Sequence, residues 1–232
     1  MSDLGKMRYF LGIEVQQLKN GIFISQKKYA WDVLKRFQME ECNAVLNPIV
    51  PGFKISKDEN GVMVESTFYK QLVGSLIYLT STRPDLLYAM SLISRYMSQP
   101  TELHLNAAKR VLRYVKGTTS FGILYQKGAS NMLTAYNDSD YAECLEDRKS
   151  TSGYAFMISS GAVAWSSRKQ PIVTLSTTEA EYVAAAACAY QAMWMKMVLK
   201  SLCCDNNECT TIFCDNSSTI KLSKNTVLHK KE

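Results

Sequence analysis

The chain has 232 residues, 47% of them hydrophobic, and a formal net charge of +6. That length can bury one or two cores, and two domains are expected. No run of about 18 apolar residues exists and the start, Met1-Ser2-Asp3-Leu4-Gly5-Lys6, lacks an apolar signal core, so neither a membrane-spanning helix nor secretion is expected, and a soluble intracellular protein is expected.

The charge is unevenly placed. Before residue 131, 17 Lys and Arg stand against 10 Asp and Glu; after it, 10 stand against 11. A polyanion-binding first half beside a cation-binding second half fits a nucleic-acid enzyme, and an ordinary basic surface fits equally well. The seven cysteines include Cys203, Cys204, Cys209 and Cys214, with only His104 and His229 as imidazoles. This matches no common zinc spacing, and the odd total reads as reduced, mostly structural thiols.

In chain order, Tyr9 to Val15 and Ile22 to Ile24 are apolar runs around Lys19-Asn20-Gly21, a hairpin in which Asn-Gly favours a primed turn. A helix is expected over 26–37, with Tyr29, Val33 and Phe37 on one face. Pro48, Pro51, Gly52 and Gly61 make 41–66 an irregular connector. Three helices follow over 68–80, from Pro84-Asp85 to about 97, and over 102–116. On the last, Lys109, Arg113 and Lys116 form a basic stripe opposite Ala108, Val111, Leu112 and Val115; it reads either as a solvated face or as one that tracks phosphates.

From about residue 129 the pattern turns strand-rich, with strands expected over 133–141, 153–158 and 161–166. Ser176 with Glu179 three residues on has capping-box spacing and opens a helix to about 202, with Val183, Ala187, Tyr190, Trp194 and Met197 on one face. A strand over 210–214 and a short helix from Ser217 complete the order. Three strands, a helix and a strand imply an antiparallel meander to which the last strand adds in parallel beside the first. Asp138 and Asp215 then share a level on adjacent strands, with Glu181 above them on the helix. Crowded carboxylates repel unless cations neutralise them, so the three read together as a metal site, although each alone is an ordinary surface or capping acid.

The runs Tyr136-Asn137-Asp138-Ser139-Asp140-Tyr141-Ala142, Asp147-Arg148-Lys149-Ser150-Thr151-Ser152-Gly153-Tyr154, Trp165-Ser166-Ser167-Arg168-Lys169-Gln170-Pro171, Leu175-Ser176-Thr177-Thr178-Glu179-Ala180-Glu181-Tyr182 and Cys214-Asp215-Asn216 resemble the ribonuclease H domain of copia-type retrotransposon Pol polyproteins. Asp3-Leu4-Gly5, Tyr9-Phe10-Leu11-Gly12-Ile13-Glu14, Val73-Gly74-Ser75-Leu76-Ile77-Tyr78-Leu79 and Thr82-Arg83-Pro84-Asp85 resemble the end of the reverse transcriptase and its connection. Nearly the whole chain is covered. The resemblance implies an α/β (α+β) fold: residues 1–128 as a reverse transcriptase remnant with a hairpin and a small helical thumb or connection region, and 129–232 as a ribonuclease H-like domain with a mixed, five-stranded-type sheet, truncated at its C-terminus.

It further implies that Asp138, Glu181 and Asp215 are the catalytic acids and hold two Mg²⁺, or Mn²⁺, for hydrolysis of the RNA strand of an RNA–DNA hybrid. Asp140 is the neighbour most easily confused with the first acid. Asn216 and Ser217 are placed to sense the 2′-hydroxyl, while Arg168, Lys169 and Gln170 could meet phosphates or form a solvated turn. The partners implied are a hybrid or other nucleic acid and the rest of a Pol polyprotein, without a membrane, in a cytoplasmic particle or the nucleus. No Asp-Asp pair occurs, so polymerase chemistry is excluded. Glu143 and Cys144 stand where the family usually has Gly and Asp. A fourth acid belongs beyond the His229 region, so weak or lost cleavage is expected. A non-catalytic nucleic-acid-binding or protein-interaction remnant adopted by a host, or a non-functional pseudogene product, are the other readings.

Overall fold

The computed structural model describes residues 5–128, 132–202, 204 and 209–225. Asp3-Leu4, Cys203 and His229 lie outside the described residues. The chain divides into two compact units, Met1–Lys127 and Gly128–Glu232.

The first unit begins with β1 (Tyr9–Phe10), β2 (Ile13–Leu18) and β3 (Gly21–Ser25), antiparallel neighbours joined by short turns. The expected hairpin is present, but the primed turn is not at Asn20-Gly21. Leu18 pairs with Gly21, leaving Lys19-Asn20 as the loop, and neither has positive φ. Instead Leu11 (φ 45) and Gly12 (φ 75) supply the two left-handed residues between Phe10 and Ile13. Gly21 serves a different need: a Cβ there would lie 2.2 Å from the carbonyl oxygen of Tyr125. Tyr125 belongs to β4 (Gly122–Gln126), which pairs with β3 in register Gly21↔Gln126 to Ser25↔Gly122 and completes the sheet β1-β2-β3-β4.

Four helices form the rest of this unit: α1 (Lys27–Arg36), α2 (Ser66–Leu79), α3 (Leu87–Ile93) and α4 (Glu102–Gly117). Side chains satisfy backbone N–H groups at the starts of α2 and α4. Glu65 accepts from Thr67 and Phe68 N–H at 2.7 Å each, and the Thr101 N–H donates to His104 Nδ1 at 2.9 Å. The single helix expected up to residue 97 is interrupted, with 3₁₀ turns at Pro84–Leu86 and Ser94–Tyr96 on either side of α3. Val33, Leu34, Tyr69, Leu72, Leu76, Ile93, Val111, Leu112 and Val115 bury the helices' apolar faces in one core.

The second unit contains β5 (Leu133–Ser139), β6 (Thr151–Ile158), β7 (Gly161–Lys169), α5 (Thr177–Ser201), β8 (Thr211–Phe213) and α6 (Ser217–Lys224). Its sheet runs β7-β6-β5-β8, with β5, β6 and β7 antiparallel and β8 parallel to β5, the topology expected from the element order. The sheet has four strands among the described residues, not five. Helix α5 meets it through Ala180, Ala184, Cys188, Ala192 and Met195, over Leu133, Ala135 and Phe156. Small residues allow that close approach. The larger residues expected to share a face point elsewhere: Tyr190 is 76%, Trp194 52% and Met197 62% exposed.

Candidate metal centre

Three local devices bring the acids of the second unit together. Asp138 is the penultimate residue of β5, and the register Tyr136↔Phe213 puts Asp138 and Asp215 each two residues beyond a directly paired position. Glu181 lies in the second turn of α5, whose start is set by Ser176 accepting from the Glu179 N–H at 3.1 Å while Glu179 Oε2 accepts from the Leu175 N–H at 2.6 Å. At the other helix, Asn216 Oδ1 accepts from the Thr219 N–H at 2.9 Å, and Thr219 Oγ1 donates to Thr178 O at 3.0 Å. That last bond ties the start of α6, and with it Asp215, to the first turn of α5.

The acids meet as follows. The Ser139 N–H donates both to Asp138 Oδ1 at 2.9 Å and to Glu181 Oε1 at 3.3 Å, so the two carboxylates share one donor. Ligand atoms of Glu181, Asp215 and Cys214 lie within 4.8 Å of one another. Asp138 stands beside this triplet, joined to it through Ser139. Asp138 and Asp215 are exposed while Glu181 is only 7% exposed, and its Oε2 is buried without a hydrogen-bond partner. Burial raises the Glu181 pKa, the charges of Asp138 and Asp215 raise it further, and the Ser139 N–H opposes them. A cation would satisfy Oε2 and relieve the repulsion, and the oxygen donors suit Mg²⁺ or Mn²⁺.

Asp140 is excluded from the cluster by its own partner. Its Oδ1 accepts from the Thr151 N–H at 2.8 Å, which ties the end of β5 to the start of β6, and burial raises its pKa. Gln170, read from sequence as a residue that could meet phosphate, is 4% exposed and braces the site from beneath. Its Nε2 donates to Ser139 Oγ (3.2 Å), Ser152 Oγ (2.7 Å) and Ala180 O (2.9 Å), linking the ends of β5 and β6 to the residue before Glu181. Cys214 was the other site residue the sequence reading passed over. Only its adjacency to Asp215 could have marked it.

The expected nucleic-acid residues fare differently. Arg168 is exposed near the end of β7, whereas Lys169 is engaged by Asp147 at 3.1 Å and by Cys144 Sγ at 3.0 Å. Ser217 is exposed, while the side-chain Oδ1 of Asn216 is occupied as the α6 cap. In the first unit Lys109 is exposed, but Arg113 Nε donates to Asn43 O at 2.8 Å and Lys116 Nζ to Glu40 O, with Lys116 also 4.6 Å from the Trp31 ring centroid. The basic stripe thus contributes two of its three cations to holding the segment that follows α1 against α4.

Residues 1–51 match the family described as reverse transcriptase (RNA-dependent DNA polymerase). The retrovirus-related Pol polyprotein from transposon RE1 of Arabidopsis thaliana is 38% identical over 231 residues, covering 100% of the chain and 16% of that protein. The corresponding polyprotein from transposon TNT 1-94 of Nicotiana tabacum is 37% identical, covering 100% of the chain and 18% of its own length. The chain belongs to the copia-type retrotransposon Pol polyproteins. This Pol segment also matches an uncharacterised mitochondrial protein of Arabidopsis thaliana, 38% identical over 84% of the chain and 80% of that protein. It spans less than a fifth of the full polyproteins. No solved structure gives a significant match, and no helix among the described residues is long and apolar enough to cross a membrane.

Proposed function

We propose that residues 129–232 of this Pol segment form a ribonuclease H-like unit that hydrolyses the RNA strand of RNA–DNA hybrids, preceded in 1–128 by the end of a reverse transcriptase and its connection. The observation that carries this reading is the convergence of Asp138, Glu181 and Asp215 from a strand, a helix and a neighbouring parallel strand, with Glu181 Oε2 buried and lacking a partner. Such an arrangement is costly unless cations occupy it. Asp138, Glu181 and Asp215 would hold two Mg²⁺ or Mn²⁺, which when bound supply an activated water and charge stabilisation for phosphodiester hydrolysis.

The chain's own residues do the positioning. Ser139 N–H orients the first two acids, Gln170 fixes Ser139 against α5, and Asn216 and Thr219 fix the level of Asp215. Ser217 and Arg168, both exposed, are available to the sugar and phosphates of the hybrid, and Lys109 is exposed in the first unit and available to phosphate. The setting would be a cytoplasmic particle or the nucleus, with the remainder of the polyprotein as partner.

The test is cleavage of a labelled hybrid by this segment and by a longer Pol segment, with Mg²⁺ and with Mn²⁺, alongside Mn²⁺ binding followed by electron paramagnetic resonance. Ion-dependent cleavage of the RNA strand that disappears in Asp138→Asn is expected. Cleavage that survives Asp138→Asn, or the absence of Mn²⁺ binding by either segment, would refute the assignment.

A further inference from the structure

Cys214 is unlike the rest of the acidic site. Magnesium takes oxygen ligands and keeps several waters, so a thiol at the edge of such a centre contributes nothing to it. Yet the Cys214 Sγ lies within 4.8 Å of ligand oxygens of both Glu181 and Asp215. The thiol is half-buried, and the contact it makes with the Asn216 carbonyl is long, at 4.0 Å. Strand β8 ends at Phe213, so the alternation that would send neighbouring residues to opposite faces stops just before Cys214 and Asp215, and both ligand atoms can face Glu181.

We propose that Cys214, Glu181 and Asp215 form a site for a borderline-soft divalent ion such as Zn²⁺, whose binding excludes the hard ions and switches the centre off. It rests on the metal-site reading above only for the availability of the two carboxylates. The partnerless Glu181 Oε2, on a side chain only 7% exposed, is a buried polar atom that lacks a ligand, and the thiol beside it decides which kind of ion suits the position.

The geometry is within reach. Zinc binds thiolate at about 2.3 Å and carboxylate at about 2.1 Å, so tetrahedral coordination needs sulfur and oxygen about 3.6 Å apart. The three ligand atoms already lie within 4.8 Å of one another, so binding requires only a small inward movement of the exposed Asp215 and half-buried Cys214 side chains. One thiolate, two carboxylates and a water complete four-coordination, and the soft ligand favours zinc over Mg²⁺ and Mn²⁺. On binding, the Cys214 S–H bond breaks, the sulfur–metal bond forms and the proton passes to buffer.

Co²⁺ is the probe, because cobalt–thiolate bonds give a near-ultraviolet charge-transfer band that d¹⁰ zinc lacks. The whole chain titrated with Co²⁺ is expected to develop this band, lose it on adding Zn²⁺, and release a proton detectable by calorimetry in buffers of different ionisation enthalpy. Cys214→Ser should abolish the band, and Glu181→Gln, which leaves every cysteine in place, should weaken Co²⁺ binding by at least about tenfold. The second variant also guards against misfolding of the first. A band that persists in Cys214→Ser would trace to the remaining cysteines and overturn the proposal. Intact Mn²⁺ binding without any Co²⁺–thiolate band would overturn it while leaving the hard-ion centre standing; failure of both ions would remove both.

Discussion

Replacing Gln170 by Ala should loosen the metal centre without touching any of its ligands. The amide has two N–H groups serving three acceptors, Ser139 Oγ, Ser152 Oγ and Ala180 O. Two net hydrogen bonds at about 0.5–1.5 kcal/mol each give about 1–3 kcal/mol. The Gln170 Oε1 is itself buried without a partner, so deleting it returns part of a desolvation cost already incurred. The void left by a side chain only 4% exposed offsets that return, and the net loss is about 2 kcal/mol. For a unit of this size that is a fall of roughly 10 °C in unfolding temperature. Calorimetry of the full chain should show the drop, and hydrogen exchange should place it at the ends of β5 and β6 and in the first turns of α5. Mn²⁺ affinity should fall by about tenfold, the usual effect of removing a group that orients ligands. Gln170→Glu should be worse, because it replaces the donor with an acceptor facing the Ala180 carbonyl. Arg168→Ala should leave the unfolding temperature in place. If Gln170→Ala unfolds together with the parent and binds Mn²⁺ equally well, the three hydrogen bonds do not hold the site.

Glu181→Gln, measured in chelator, should gain stability relative to the parent as pH rises. The folded pKa of Glu181 lies above its ordinary value of 4.5, so the parent's stability is fully present below that value and declines as pH climbs through the raised one; parallel pH profiles would show that Glu181 carries no such strain. Asp147 should behave in the opposite sense. The polar Cys144 thiol beside it, together with hydrogen bonds from Lys169 Nζ and the Lys149 N–H, lowers its pKa to about 2 from 3.8, so the stability it contributes is present above about pH 4 and lost as pH falls towards 2. The pair is partly exposed, so the contribution is about 1 kcal/mol or less, and Asp147→Asn should flatten acid unfolding in that window. In the basic stripe, Arg113→Ala and Lys116→Ala should each cost the first unit about 0.5–1.5 kcal/mol in urea unfolding, because each removes a donor to a backbone carbonyl of the segment after α1. Lys109→Ala should leave stability unchanged and lower the salt dependence of hybrid binding by about one counterion; equal effects of all three on the salt slope, with none on stability, would restore the stripe as a phosphate-tracking face.

Sequence alone determined what depends on near neighbours. Apolar periodicity and terminal signals placed α1, α2, α4 and α5 to within a few residues, Ser176 marked a real N-cap, and alternation marked β5 to β7. The element order even implied β8 parallel to β5, because a helix-length crossover leaves few other solutions, and from that followed the equal level of Asp138 and Asp215. Interactions between distant segments stayed out of reach. Strand β4 is a short run whose only claim to be a strand is the edge of β3 about 100 residues earlier, which also accounts for Gly21. The inner face of α5 is a stripe of Ala and Cys because the sheet lies close, whereas a reading by size picks out Tyr190 and Trp194. Gln170, Cys214, Arg113 and Lys116 all carry polar groups that could face water or protein. Which of the two they meet is decided by carbonyls, hydroxyls and carboxylates brought near by folding, and local sequence pattern holds no record of that proximity.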